Sequence, residues 1–354
     1  MDALISVPFI SYLLFPGVTS WSKSLNLLFF TMTWTTLTLS HPPLRIELIS
    51  IFAIRLIFWF LPSLLTLLLD LLVPSLAQQA KQIGASALPP RNAATIGRIL
   101  TISLGNMLLS IALEGVVSHG VAIFTGRSVM PVTATPPLPW TILKHIVLLF
   151  LGREIVTYYV HRHLLHSESA RVNRQNSPYS FSSFSSSLLK KLSTWHLAAL
   201  PHARKAPPFS LLLFADHPAV SLLLRFIPIY VPALVLRPHL LTYLAFVALV
   251  TLEEMFTHSG YAIVPGIVLG GMTRRTGTHY CNDGRGNFGT WGLLDWAHGT
   301  SVGGQDLVDD VKKEAEKHNL PAKSQRVAGD TANKMQDGAE DWKKRLRSRE
   351  RKIN

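Results

Sequence analysis

The sequence predicts an all-α polytopic membrane protein. It predicts a bundle of transmembrane helices, a histidine cluster at the cytosolic face and a charged helical C-terminal tail. Three observations lead there. Of 354 residues, 48% are hydrophobic and 16% charged, with mean hydropathy +0.27. A soluble domain carries about 25% charged residues, so this chain has too little charge to cover a water-facing surface. Its apolar residues gather in runs that approach the roughly 20 helical residues needed to cross hydrocarbon. Finally, eight of its 14 histidines fall on one side of those runs.

Composition also excludes some classes. The formal charge of +13 fits basic cytosolic loops, and no nucleic-acid-binding motif accompanies it. The lone cysteine, Cys281, rules out an intramolecular disulfide and a cysteine-rich zinc site.

The elements follow in order. The opening MDALISVPFISYLLFPGV has an early Asp2, no basic n-region and no small-residue cleavage site, so it is an interfacial or short re-entrant segment, not a signal peptide. Apolar runs cover Ser24–Ser40, Ile46–Val73, Ile99–Val117, Trp140–Val160, Ala219–Leu236 and Leu240–Met255. The second carries Arg55, Pro62 and Asp70, which imply a kink or a partly interfacial helix. Arg237-Pro238-His239 joins the last two as a tight hairpin. Gln175–Ser187 is Ser-rich and predicts a flexible loop. Beyond Gly303 the chain turns charged and helix-prone, ending in KKRLRSRERK. Residues 1–138 thus form an N-terminal membrane region with about three spans, 139–303 a histidine-bearing domain, and 304–354 a tail.

Loop charge orients the bundle. Lys81, Arg91 and Arg98 lie in one loop; Arg162, Arg171, Arg174, Lys190, Lys191, Arg204 and Lys205 lie in another. The loops between them carry one arginine each. The positive-inside rule places the basic loops and the N-terminus in the cytosol. His161, His163, His166, His196, His202, His217, His258 and His279 then share the cytosolic face, whereas His41, His119 and His239 fall opposite. Neutral imidazole is a good donor to iron, zinc and copper. No Glu-x-x-His motif, the mark of soluble di-iron bundles, occurs.

Tyr158-Tyr159-Val160-His161-Arg162-His163-Leu164-Leu165-His166 opens the pattern. At about 100° per residue, a straight helix pairs His163 with His166. If the helix opens or bulges near Arg162, His161 turns inward too. Glu254 and His258 are four apart and share a helix face. Glu253 and Glu254 either orient ligands or cap charge.

These residues resemble the fatty acid hydroxylase and sterol desaturase superfamily, over roughly Trp140 to Gly303. The opening motif resembles its first histidine box, with one residue more between His161 and His166. His202, Ala206-Pro207 and His217-Pro218 resemble the second region, and His258 a histidine after the hairpin. Asn287-Phe288-Gly289, Trp291-Gly292, Asp295 and Gly299-Thr300 resemble the family's ending. Of the third box only His279 remains, with Thr276 and Tyr280 where histidines stand in the family, so the chain resembles a divergent branch.

The resemblance implies two irons per chain held by the eight cytosolic-face histidines, with Arg162, Asp216 and Glu254 supporting them. It implies molecular oxygen as co-substrate and a separate electron donor such as cytochrome b5 or a reductase. It further implies hydroxylation or desaturation of a sterol, sphingolipid or fatty acyl lipid in the endoplasmic reticulum. Two other readings stand beside this one: a non-catalytic descendant that binds lipid or a partner, and a transporter. No internal repeat supports the transporter.

Overall fold

The computed structural model describes residues 21–166, 183–264 and 266–303. The expectations for residues 1–18, for Arg171 and Arg174, and for the tail from 304 fall outside them. The described residues are helical with no strand; a single antiparallel bridge pairs Lys81 with Tyr261. The helices are α1 (Trp21–Ser40), α2 (Pro43–Leu72), α3 (Pro74–Ala80), α4 (Ala93–Thr125), α5 (Pro139–Val160), α6 (Ser183–Ala198), α7 (Pro218–Leu236), α8 (Leu240–Thr257), α9 (Ile267–Cys281) and α10 (Leu293–Ala297).

Of the six expected spans, α2, α4, α7 and α8 are long and apolar enough to cross a membrane. The other two are helices of more polar composition. Threonines 31, 33, 35, 36 and 38 dilute α1, and α5 carries Lys144, Arg153 and Glu154. Side chains such as Leu65, Val116 and Phe124 stand exposed along α2 and α4, as lipid-facing positions require.

Prolines shape the long helices. A proline inside a helix removes an N–H and crowds the preceding turn. In α2 the turn Leu56–Phe60 before Pro62 is a π-helix, and in α7 so is Leu222–Phe226 before Pro228. A π turn lets the helix run on past such a residue, so α2 is helical from Pro43 through Leu72. Its Asp70 is buried in an ion pair with Lys81 at 2.8 Å and accepts from the Tyr261 hydroxyl at 2.6 Å.

The Ser-rich stretch departs from expectation at its end. Residues 183–187 begin α6 rather than a loop. Serine is favourable at a helix start, and Leu188, Leu192 and Trp195 then recur at helical spacing.

Between helices in lipid, packing and hydrogen bonds replace the hydrophobic effect as the main attraction. Gly152 of α5 lets Pro232 of α7 approach so closely that an added Cβ would sit 2.9 Å from its ring. The Ser118 hydroxyl of α4 donates to Glu47 of α2 at 2.7 Å and lies 2.6 Å from the Tyr230 hydroxyl of α7. Tyr243 of α8 donates to Glu114 of α4 at 2.7 Å.

One buried loop matters for the site. Residues 209–216 run inside the bundle around a 3₁₀ turn, Ser210–Phe214. A buried loop must have its carbonyls satisfied, and helix side chains do so here. Trp59 donates to Ser210 at 3.1 Å and Ser103 to Leu211 at 2.8 Å. Asn106 donates to Phe214 at 2.7 Å and to Asp216 at 2.8 Å. The loop therefore delivers Asp216 to a fixed place.

Candidate metal centre

Five imidazoles converge where α5 ends, beside α6, α9 and the turn Leu200–Ala203. They are His161, His166, His196, His202 and His279, each with a ring nitrogen within 4.8 Å of one from every other. His166, His196, His202 and His279 are buried and His161 partly so.

The opening motif is resolved by a third π turn. His161–Leu165 is a π-helix, closed by the His166 amide donating to the His161 carbonyl at 3.1 Å. An i→i+5 turn brings residues five apart onto one side. The extra residue in the box is thus absorbed, and His161 and His166 meet with ring centroids 4.9 Å apart. His163, the natural partner of His166 on a straight helix, is exposed and stacks on Tyr159 at 5.9 Å.

His217 and His258 also stay outside the cluster. His217 caps α7, accepting from the Ala219 amide at 3.3 Å, and stacks on Trp195 at 4.1 Å. Its place before Pro218 suits a cap. His258 is buried, and its Nε2 accepts from the Arg225 guanidinium at 2.9 Å. Of the expected supporting groups, Asp216 touches a cluster histidine. Arg162 bonds the Tyr158 hydroxyl and lies over its ring. Glu254 is enclosed by Arg55, Arg153 and Arg225.

Second partners orient the rings. His161 Nδ1 lies 2.9 Å from the Phe288 carbonyl, and His279 Nδ1 lies 2.7 Å from the Gly286 carbonyl. His196 Nδ1 lies 2.9 Å from an Asp216 carboxylate oxygen. Each of these acceptors fixes the proton on Nδ1 and turns a bare Nε2 lone pair inward. His161 and His196 then face each other Nε2 to Nε2 at 3.3 Å. With both protons on Nδ1, that contact sets lone pair against lone pair, which repels unless a cation stands between. Both nitrogens of His166, Nδ1 of His202 and Nε2 of His279 are buried with no hydrogen-bond partner. Orphaned buried nitrogens are costly, and a metal among the five rings would satisfy those that face it. The donor set therefore fits a transition-metal ion.

Electrostatics favour the ligand form. Burial holds His161, His166 and His202 well below the usual histidine range, and the neighbouring imidazoles push the same way. Burial lowers His279 to about 4 against the pull of the Gly286 carbonyl. These rings are neutral at physiological pH. The sign for stability follows: the unfolded chain titrates near 6.5 and binds these protons first, so acid favours unfolding. The metal-free protein is expected to lose thermal stability from about pH 6.5 down to about pH 4, measured by melting in detergent. A flat profile between pH 7 and 5 would count against the buried neutral cluster.

The loop after α9 supplies the orienting carbonyls and is held by two carboxylates. Asp295 accepts from the amides of Phe288 and Gly289 at 2.9 and 2.7 Å and from Arg275 at 3.0 Å. Glu154 accepts from the amides of Thr290, Trp291 and Gly292 at 2.9 to 3.0 Å. Gly284 has φ +71°, and a Cβ there would lie 2.2 Å from His166 Cε1, so only glycine allows that close approach. Sequence reasoning missed Asn106, Glu154, Arg225 and Gly284. For the first three the available signal was a polar residue inside an apolar helix, which is functional by default.

Residues 146–300 match the family model described as fatty acid hydroxylase. This part of the chain belongs to the fatty acid hydroxylase family. No solved structure matches the chain. The matched hydroxylase residues include all five clustered histidines, both carboxylates that hold the final loop, and Asp216.

Asp216 makes a graded test of the centre. Removing a partner that orients a metal-bound histidine costs about 10–100-fold in affinity. Asp216→Asn is expected to weaken metal binding by that factor, read by competition with a chromophoric chelator. Unchanged affinity would mean that His196 is not a ligand.

Proposed function

We propose that this chain is a membrane-bound, iron- and oxygen-dependent lipid oxidase of the hydroxylase or desaturase type. The observation that carries it is the convergence of five imidazoles, three of them oriented by a second partner, inside a hydroxylase-family domain. Iron held by His161, His166, His196, His202 and His279 would supply oxygen activation, which no amino-acid side chain provides for an unactivated C–H bond. Hydroxylation consumes O₂, two electrons and two protons to give the alcohol and one water. Desaturation consumes the same and gives the alkene and two waters.

The residues of the chain divide the remaining work. Asp216 and the Gly286 and Phe288 carbonyls keep the histidine lone pairs pointed inward. A cavity of about 60 Å³ beside His161 and His279, lined also by Thr157, Thr276 and Thr290, has room for molecules the size of water but not for a lipid chain. A larger groove of about 850 Å³ lies between α4 and α6. Ile99, Ile102, Leu109 and Trp195 line it, and Asp216 belongs to its wall. Its size and apolar lining suit a lipid tail, which would enter sideways from the bilayer.

Lys81, Arg91, Arg98, Lys190, Lys191, Arg204 and Lys205 fall in the segments at the histidine end of the bundle. This supports a cytosol-facing site; the endoplasmic reticulum membrane and a separate electron donor such as cytochrome b5 or a reductase enter the proposal from the family resemblance alone.

The test is lipid mass spectrometry of cells expressing the chain or its His202→Ala variant. The expected result is lipids that gain one oxygen or lose two hydrogens with the native chain only. Identical lipid profiles, from native protein that holds no metal, would favour the non-catalytic descendant.

A further inference from the structure

The resemblance implies two irons, but the surroundings of the cluster hold donors for one. We infer that this chain's histidine centre takes a single metal ion within His161, His166, His196, His202 and His279, and that the Arg225 guanidinium occupies the cationic place beside His258. This rests on the metal-dependent reading above and adds the number of ions.

Donor spacing is the first ground. A transition metal such as zinc bonds imidazole nitrogen at about 2.0–2.1 Å, so donors facing across one ion lie about 4.2 Å apart. The five nitrogens lie within 4.8 Å of one another. Shifts of a few tenths of an ångström bring them around one ion. A catalytic ion commonly takes about three protein ligands, so two ions call for about six. Five donors in so small a volume fall short.

The second ground is that the carboxylates near the cluster and His258, the histidine on its Arg225 side, are already committed. His258 Nε2 accepts from Arg225, and its Nδ1 lies 3.1 Å from the Glu254 carbonyl. Arginine does not deprotonate in proteins, so a fixed positive charge sits where a second ion would bond His258. Arg225 is itself held there by Glu254 at 3.3 Å and the Leu213 carbonyl at 3.2 Å. Glu254 answers three arginines. Glu154 and Asp295 are spent on the final loop. Asp216 holds His196 and the His217 amide. Thr276 and Tyr280, which stand in the third box, line the cavity between His279 and Arg225. A threonine hydroxyl is a poor ligand for such an ion.

The experiment uses the full chain in detergent, stripped with a chelator and titrated with cobalt(II). The visible d–d absorption is expected to saturate at one equivalent per chain, with the electron paramagnetic resonance signal of an isolated ion. His258→Ala is expected to keep that one equivalent. Saturation at two equivalents, or a spin-coupled pair, overturns the single-ion inference and leaves the oxidase reading standing. No cobalt bound overturns both. Should His258→Ala fail to fold, the native titration still decides.

Discussion

Replacing His279 with alanine is expected to empty the metal centre and abolish lipid oxidation while leaving the chain folded. His279 is the last histidine of the third box, so no neighbour in α9 can take its role. Its Nδ1 is anchored on the Gly286 carbonyl, and its buried Nε2 has no protein partner. The substitution removes an unsatisfied buried nitrogen, which by itself spares stability. It also removes one donor of five. Losing a partner that merely orients a ligand costs about 10–100-fold, and losing the ligand itself should exceed that. Elemental analysis after dialysis would show the loss, with a melting curve as the control for folding. Added imidazole, small enough for the vacated space, should restore part of the metal content. Full metal retention in the alanine variant would remove His279 from the ligand set and with it the convergence on which the functional reading stands.

The same residues serve fold and site at once. Asn106 is polar in an apolar helix because it must satisfy the carbonyls of the buried 209–216 loop. That loop sets Asp216, and Asp216 sets the tautomer of His196. A chain of hydrogen bonds thus runs from a membrane helix to a ring nitrogen of the cluster. On the other side, Glu154 near the end of α5 fixes the loop whose carbonyls orient His161 and His279. Positions are determined by rigid elements at both ends, as a metal centre needs.

Much of this was legible in the sequence. Long apolar runs fix the helices through the cost of unpaired backbone in lipid, and their order places the histidines together. The π turn at His161 was one of two readings of the box, because spacing alone does not say which backbone hydrogen bond closes the turn. His217 and His258 were beyond reach for a different reason. Each has a ligand's chemistry, and only its partner, a helix amide or a guanidinium, reveals another use. Arg225 lies 33 residues from His258, a pairing that no local pattern encodes.

Glu254→Gln is expected to destabilise the protein by about 3–5 kcal/mol, the cost of leaving buried charge uncompensated. Glu254 is 2% exposed. One oxygen lies 3.2 Å from Arg153 and 3.3 Å from Arg225, the other 3.6 Å from Arg55. Arg153 keeps Glu253 at 2.6 Å, so the loss falls on Arg55 and Arg225. Glutamine keeps the size and one acceptor oxygen but loses the charge, and its amide brings two donors among guanidiniums that also only donate. Arg225 then loses the carboxylate that aims it at His258. A buried ion cluster replaced whole by apolar residues can be neutral, so Glu254→Leu combined with Arg55→Met should recover part of the loss. The measurement is thermal melting in detergent for native, single and double variants. Equal melting temperatures for native and Glu254→Gln would show that the arginines are compensated elsewhere. A double variant no better than Glu254→Leu alone would show that Arg55 does not share the charge.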